Sequence, residues 1–448
     1  MVGVQEHSAE CGPRLEGVQP RLFATAGTTV LRHWTEHHPG NGTAHQCNRA
    51  PPSCHCRSCP PQEIADGLFR NLNASPLGVQ RIHSPTRRSN ATLNADSHKM
   101  FQATTASPNP SGLAENSSIV LLAGSWSPRR TMMFPNSVES HLIQLKKINP
   151  LAFKAIEPKI VRESSARFTN LTYLSRNEFT LEGRGANYLD SIHLSLLARS
   201  EGVMDLLSKM HPSGRDGLRS SLIICDLLAG DGYVNKVAHR LLGAARCPTF
   251  INSDISQFMV DNCIRDGLFA IWQSATDPFW IRDGSVDGVL MAYGTHHIPR
   301  AQRAIAVQAA ARILRPGGML VLHDFEEGSP TARWFADVVS THSVTPHDYP
   351  HFTAGEVLDL FAGAQFDEVT VQRIADPFVF CGADEESVLK LLANYVVKMY
   401  GLEQLRADTQ RVLRLLDEYF GIVVTRTSHG EFEASIARHA LVGTGRRV

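Results

Sequence analysis

Apolar positions along this 448-residue chain change their spacing twice, and each change separates one kind of structure from another. Over residues 1 to about 132 the apolar stretches are short and aperiodic among Ser, Pro, Asn, Thr and His. Such a composition buries too little apolar surface to offset the entropy of ordering a chain, so this segment is expected to be mostly disordered. A targeting segment, or translated sequence upstream of a start at Met132 or Met133, would read in the same way. From Phe134 to about Lys209 the spacing becomes helical. Val138, Leu142 and Leu145 recur at three- and four-residue intervals, and Leu189, Ile192, Leu196, Leu197, Val203 and Leu206 do so again. The helices of this region, 133–215, predict a cap over a ligand site or a subunit contact.

Beyond Leu222 short apolar runs alternate with helical stretches. Strands are expected at Leu222 to Cys225, Thr249 to Asn252, Phe269 to Gln273, Val286 to Met291 and Met319 to His323, with Pro316-Gly317-Gly318 turning the chain into the fifth. This alternation predicts an α/β domain over 216–448, with a mainly parallel sheet covered on both faces. Val369 to Arg373 and Ala434 to Val442 read as two further strands. A helical insertion at about 385–420 falls between them. Leu391, Leu392, Tyr395, Val396 and Met399 make one stripe on it, the expected lid or dimer element.

The chemistry concentrates at the end of the first strand. In LIICDLLAGDG, residues 222–232, an apolar run is followed by Asp226 and then by Gly230 and Gly232. Glycines there let backbone approach a ligand with no Cβ in the way, and the helix expected from Tyr233 to Leu242 would point its N-terminus at that ligand. Asp254 lies 22 residues past Gly232, near the spacing at which a carboxylate accepts hydrogen bonds from a ribose diol. Asn235 stands where a dinucleotide fingerprint requires its third glycine, which argues against NAD or FAD.

Taken in order, Asp226-Leu-Leu-Ala-Gly230-Asp-Gly232, Asn252-Ser-Asp254-Ile-Ser256, Ser285-Val-Asp287-Gly-Val-Leu-Met-Ala292 with His296-His297, and Arg312-Ile-Leu-Arg-Pro316-Gly317-Gly318-Met-Leu-Val-Leu322 resemble the motifs of class I S-adenosylmethionine-dependent methyltransferases. The resemblance spans about residues 185–375. It departs from the family at Leu228, where the glycine loop usually has its first glycine, and at Asp231, which adds a charge. The resemblance implies a Rossmann-like seven-stranded sheet whose last strand is antiparallel, and S-adenosyl-L-methionine as cofactor. It would place Asp226, Ala229 and Gly230 at the amino acid end of the cofactor, with Gly232 in the same loop. Asp254 would meet the ribose, Ile255 a face of the adenine, and Ser274 or Ala275 its edge. The usual acidic residue is missing at that last position, with Asp277 out of register. An N-cap role for Asp254 on the helix starting near Ser256 is compatible with the ribose role. Tyr188, in Gly183-Arg-Gly-Ala-Asn187-Tyr188, is expected either to close over the cofactor or to pack two helices together.

Histidines gather after the strand ends: His296 and His297, His323, His347 and His351. His296 and His297 are candidates for a catalytic base. His297 and His351 are candidates for a divalent or ferric metal site, because neutral imidazoles are common metal ligands. The alternative is that these histidines only shape a pocket. His323-Asp-Phe-Glu-Glu, the later His-rich loop and Asp376-Pro-Phe-Val are similar to bacterial 2-oxo acid C-methyltransferases of the 2-ketoarginine or phenylpyruvate type. That similarity implies C-methylation of a metal-held keto acid, with Asp324, Glu326 and Glu327 available for a cationic group such as guanidinium. O- or N-methylation of a small metabolite, or a catalytically inactive fold acting as a binding module, are the other expectations.

Charge narrows the partners. Lys plus Arg equals Asp plus Glu at 44 each, so no bulk basic surface points to nucleic acid, and Ala292-Tyr-Gly-Thr occupies the place of an N/D-P-P-Y motif. No apolar run approaches the roughly 20 residues of a membrane span, and a signal-type core is absent, so a cytoplasmic protein acting on a small molecule is expected. A homodimer through the helical regions is compatible with this pattern. Of nine cysteines, Cys47, Cys54, Cys56 and Cys59 cluster with His45 and His55, but only one C-x2-C pair is present. Zinc binding there is the weaker expectation. Cys225 and Cys263 read as small core side chains.

Overall fold

The structure is a computed structural model that describes residues 136–345 and 347–448. The expected disorder over 1–132 and the Cys47 to Cys59 cluster fall outside the described residues. Six helices lead into the sheet: α1 (Asn136–Ile148), α2 (Pro150–Phe153), α3 (Pro158–Arg162), α4 (Ser165–Leu174), α5 (Gly185–Leu194) and α6 (Ser200–Ser208). The predicted periodicity is what they bury, with Val138, Leu142, Leu145, Ile192, Val203 and Leu206 all inside. Strands and helices then alternate: β1 (Ile223–Asp226), α7 (Tyr233–Arg246), β2 (Thr249–Asp254), α8 (Gln257–Arg265), β3 (Ala270–Trp272), β4 (Val286–Met291), α9 (Arg300–Ile313) and β5 (Leu314–Asp324). Helices α10 (Pro330–Trp334), α11 (Ser340–His342) and α12 (Ala354–Gly363) precede β6 (Phe366–Ala375) and β7 (Phe378–Gly382). The chain ends with α13 (Glu385–Tyr400), α14 (Thr409–Phe420), β8 (Ile422–Arg426), β9 (Phe432–Ile436) and β10 (His439–Arg447).

Seven strands form one sheet in the order β3-β2-β1-β4-β5-β10-β6, parallel except for β10, which runs antiparallel to both β5 and β6. Ile224, Leu290 and Val321 point to the face covered by α6, α7 and α13, while Cys225, Val289 and Leu322 point to the face covered by α1, α9 and α12. Two buried faces account for the near-continuous apolar runs of the central strands. A Cβ at Gly443 would stand 2.4 Å from Val357 Cγ1, so this glycine lets α12 lie directly on β10. Strand order reverses between β1 and β4, and the crevice at the carboxyl ends of such neighbours is where ligands of open α/β sheets bind.

Two sequence expectations need correction. The seventh core strand begins at His439, not Ala434. Residues 434–436 belong to β9, which pairs with β7 and β8 in a separate antiparallel sheet, because the chain bends at Ala437-Arg438 and the Arg438 carbonyl accepts the Asp376 amide at 2.9 Å. The insertion is therefore not purely helical. It combines α13 and α14, broken where Gly401 takes φ +64° at the end of α13, with that small sheet. Its apolar stripe is spent inside the chain, with Leu392, Tyr395 and Val396 buried and α13 lying against α5.

Candidate active site

The glycine loop follows β1 at the switch point. Gly230 and Gly232 both have positive φ, +55° and +81°. A Cβ at Gly232 would come within 2.6 Å of Leu268 Cδ1, and at Gly230 the nearest side chain is the ring of Tyr188, at 3.9 Å. Tyr188 thus stands against the loop from α5. Asp254, at the end of β2, ties this loop down. Its Oδ2 accepts the Gly230 amide at 2.8 Å and its Oδ1 the Ser256 amide at 2.7 Å. The N-cap of α8 is Ser256, whose Oγ accepts from the Met259 amide, so Asp254 does not cap that helix. Burial pushes the Asp254 carboxyl up to about 6, against those amide hydrogen bonds. Asp226 is more enclosed. Burial pushes it up to about 8, while its hydrogen bond from the Leu228 amide pulls the other way. The unexpected charge at Asp231 is buried and pairs with Lys236 at 2.7 Å, which also pairs with Asp266. Ile255 flanks Asp254, and its carbonyl accepts Trp272 Nε1 at 2.9 Å. Ser274 and Ala275 follow β3 and are buried. Asp277 is engaged elsewhere, by Arg167 at 3.0 Å.

The second feature is a buried group of imidazoles beside the ends of β4 and β5. His296 and His297 form a one-turn helix after β4, and His347 and His351 come from the loop before α12. Ligand-capable atoms of His296, His297 and His347 lie within 4.8 Å of one another, as do those of His296, Asp324 and His351. His297 and His351 therefore fall in two trios that share His296. Asp324 orders the shared residue. Its carboxylate accepts the His296 amide at 2.6 Å, His296 Nδ1 at 2.9 Å and the Phe325 amide at 2.6 Å. Burial alone would raise the Asp324 carboxyl, but His296 and His351 hold it well below the usual range. Burial lowers His296 to about 4, with Asp324 opposing, so the ring is neutral near pH 7. An ionised acceptor beside a neutral imidazole places the proton on Nδ1 and leaves the Nε2 lone pair free. His296 Nε2 is buried with no hydrogen-bond partner among the described residues, and so are both ring nitrogens of His347.

Glu178, which no motif singled out, stands beside His297. Its Oε1 lies 3.0 Å from His297 Nδ1 and 3.9 Å from His347 Nδ1, and Arg184 pairs with its other oxygen. Burial would raise Glu178, but Arg184 and His297 outweigh it and hold the carboxyl at about 2. His323 is set apart from these trios. Its Nδ1 accepts the Tyr293 amide at 3.3 Å, which occupies its lone pair. Of the acids considered for a cationic substrate, Asp324 serves His296, Glu326 pairs with Arg373, and Glu327 is exposed.

Against known families, residues 226–322 match the profile described as a methyltransferase domain, from the acid of β1 to the end of β5. Residues 226–322 thus carry a methyltransferase domain. The match brackets the glycine loop, Asp254 and the His296-His297 turn in one unit. Among solved structures, the chain is similar to the YcgJ protein of Bacillus subtilis at 17% identity and a TM-score of 0.36, covering 55% of this chain and 98% of that one. The chain is also similar to a possible histamine N-methyltransferase of Thermotoga maritima at 17% identity and a TM-score of 0.35, covering 59% and 97%. A geranyl diphosphate methyltransferase in complex with the cofactor is similar at 15% identity and a TM-score of 0.33, covering 56% and 85%. No curated protein matches the chain.

Proposed function

We propose that this methyltransferase methylates a carbon of a small 2-oxo acid, with His296, His297 and His347 holding a metal ion that binds the keto acid. The observation that carries the proposal is the buried His296 Nε2, unpartnered and with its lone pair set inward by Asp324. The donor set suits a divalent or ferric ion: three imidazoles, a carboxylate behind one ring and Glu178 beside another, enclosed by Phe335 stacked on His347 at 4.3 Å. When bound, such an ion supplies Lewis acidity that makes the carbon next to the keto group acidic.

The chain's own residues do the rest. In this reading Asp254 holds the ribose and the loop of Gly230 and Gly232 holds the amino acid end, which fixes the sulfonium relative to β4. His351, whose Nδ1 is unpartnered 3.7 Å from Asp324, takes the proton from the acceptor carbon. The C–H electron pair becomes the new bond to the methyl carbon, the C–S bond breaks toward sulfur, and S-adenosylhomocysteine leaves. Little else is asked of the protein in an in-line displacement than alignment and exclusion of water, and the site is buried. The test is metal analysis of purified protein and of its His347→Ala variant. About one ion per chain in the wild type, lost in the variant with cofactor affinity unchanged, supports the reading; wild-type protein that takes up no iron, zinc or cobalt overturns it.

A further inference from the structure

Across Phe325 from the histidines lies a second buried polar group that the cofactor and metal assignments leave unused. Arg199 enters it from the start of α6 and Arg438 from the bend before β10, each about 95% buried or more. Arg199 Nε and Nη2 and Arg438 Nε and Nη1 have no hydrogen-bond partner among the described residues. The Arg199 guanidinium lies over the rings of Tyr233 and Tyr293, at 4.2 and 4.6 Å, and that of Arg438 over Phe378 and Phe325, at 4.0 and 5.1 Å. Tyr395, from α13, and Tyr233 add two more buried hydroxyls without partners.

Among the described residues, a buried acid faces Arg438 and reaches the tyrosine beneath Arg199. Asp376, fully buried after β6, lies 3.5 Å from Arg438 Nη2 and accepts the Tyr293 hydroxyl at 3.2 Å. Gly202 makes room for it, since a Cβ there would stand 2.1 Å from Asp376 Oδ1. His323 also borders the group, and burial keeps it neutral. The cluster thus carries one net positive charge and a surplus of donors over acceptors. Buried charge of this kind is costly unless a counter-ion completes it, and two guanidinium forks with hydroxyls suit a carboxylate. A cationic end, such as guanidinium, would meet two like charges and a single carboxylate, Asp376, that already faces Arg438.

We propose that this cluster receives a second carboxylate of the acceptor, so that the substrate is a dianionic 2-oxo acid. The identification of one end with the keto acid rests on the metal reading above; the pocket itself does not. The position of Arg438 and Asp376 argues for the acceptor over the cofactor, because they sit at the β10 and β6 end of the sheet, with β5 and β4 between them and the glycine loop after β1, whereas Arg199, over Tyr233, stands at the side nearer that loop. Phe325 alone separates Arg438 from the histidines, its ring centre 6.1 Å from that of His296 and 5.9 Å from that of His351.

The test uses full-length, metal-supplemented protein saturated with S-adenosylhomocysteine and titrated with 2-oxoglutarate and with 2-oxopentanoate, which has the same chain length without the second carboxylate. The expected result is at least about tenfold tighter binding of 2-oxoglutarate. Arg438→Met should abolish that preference and Tyr395→Phe should reduce it, with S-adenosylhomocysteine affinity unchanged in both. Tyr395→Phe removes only an unpartnered hydroxyl and serves as the folded control if Arg438→Met fails to fold. Equal wild-type binding of the two acids, a preference that survives both variants, or a parallel loss of S-adenosylhomocysteine binding each overturns the proposal, the last by assigning the pocket to the cofactor's carboxylate. Repetition on chelated protein separates the two readings. A preference for 2-oxoglutarate that persists without metal keeps the pocket and discards the metal. Equal, metal-dependent binding does the reverse, and binding of neither acid discards both.

Discussion

Asp324→Asn is the sharpest perturbation of the proposed metal site, because it changes one atom and leaves the volume alone. Asp324 Oδ1 faces His296 Nδ1 and the Phe325 amide, and Oδ2 faces the His296 amide, with all partners between 2.6 and 3.0 Å. An asparagine keeps one acceptor oxygen and sets an NH2 against at least one of those donors. A buried N–H then lacks its acceptor, which costs about 1–3 kcal/mol of stability. The larger effect is on His296. If the amide donates to Nδ1, the imidazole proton moves to Nε2 and the inward lone pair disappears. Loss of a carboxylate behind a ligating histidine weakens metal binding by about 10–100-fold, which is about 1.4–2.7 kcal/mol. Urea denaturation would read the first quantity and equilibrium dialysis against cobalt or zinc the second. A folded Asp324→Asn protein that binds metal with wild-type affinity would refute the idea that Asp324 sets the His296 tautomer for a ligand.

Further outcomes follow from the cofactor end. Gly232→Ala places a Cβ 2.6 Å from Leu268 at a φ of +81°, so it should cost about 1–3 kcal/mol in thermal or urea denaturation; unchanged stability would contradict the described loop. Asp254→Asn should weaken S-adenosylhomocysteine binding by more than about tenfold in calorimetry if the carboxylate holds the ribose, and wild-type affinity would remove that role. Lys236→Met leaves Asp231 buried and unpaired, and a loss of about 3–5 kcal/mol is expected; a neutral effect would show that the pair is dispensable. Asp226 binds its proton in the folded protein up to about pH 8 but near its ordinary value when unfolded. Its stabilising contribution is therefore complete below about pH 4 and is lost as pH rises toward 8. Denaturation of the cofactor-free protein across that window should show this slope, and Asp226→Asn should flatten it; identical slopes would refute the assignment.

Much of this architecture was legible because local signals and tertiary structure agree. Ile223 to Asp226, followed by two glycines with positive φ, is a strand and turn that few other conformations satisfy, and the buried positions of α1 repeat at helical spacing. The boundary at Ala437-Arg438 was easily passed over, since the alternation of 432–436 lapses only briefly before apolar residues resume at Ala440, and it is pairing with different partner strands that separates β9 from β10. The site divides in the same way. Asp226, Gly230, Gly232 and Asp254 lie in a short motif set and converge on one loop. The histidines were visible as a concentration of one residue type, but their grouping around His296 depends on a loop 50 residues away folding back. Glu178 sits in an unremarkable polar stretch and acquires meaning only through Arg184 and His297. Arg199 and Arg438, at ordinary element ends and 239 residues apart, left no sequence signal at all.

Turnover with S-adenosylmethionine carrying a 13C-labelled methyl group, followed by NMR on 2-oxoglutarate and 2-oxopentanoate with and without chelator, tests the central claim most directly. The account requires the labelled methyl to appear on the carbon next to the keto group, only with metal present. A methyl found on oxygen or nitrogen, or turnover that ignores the chelator, would contradict it.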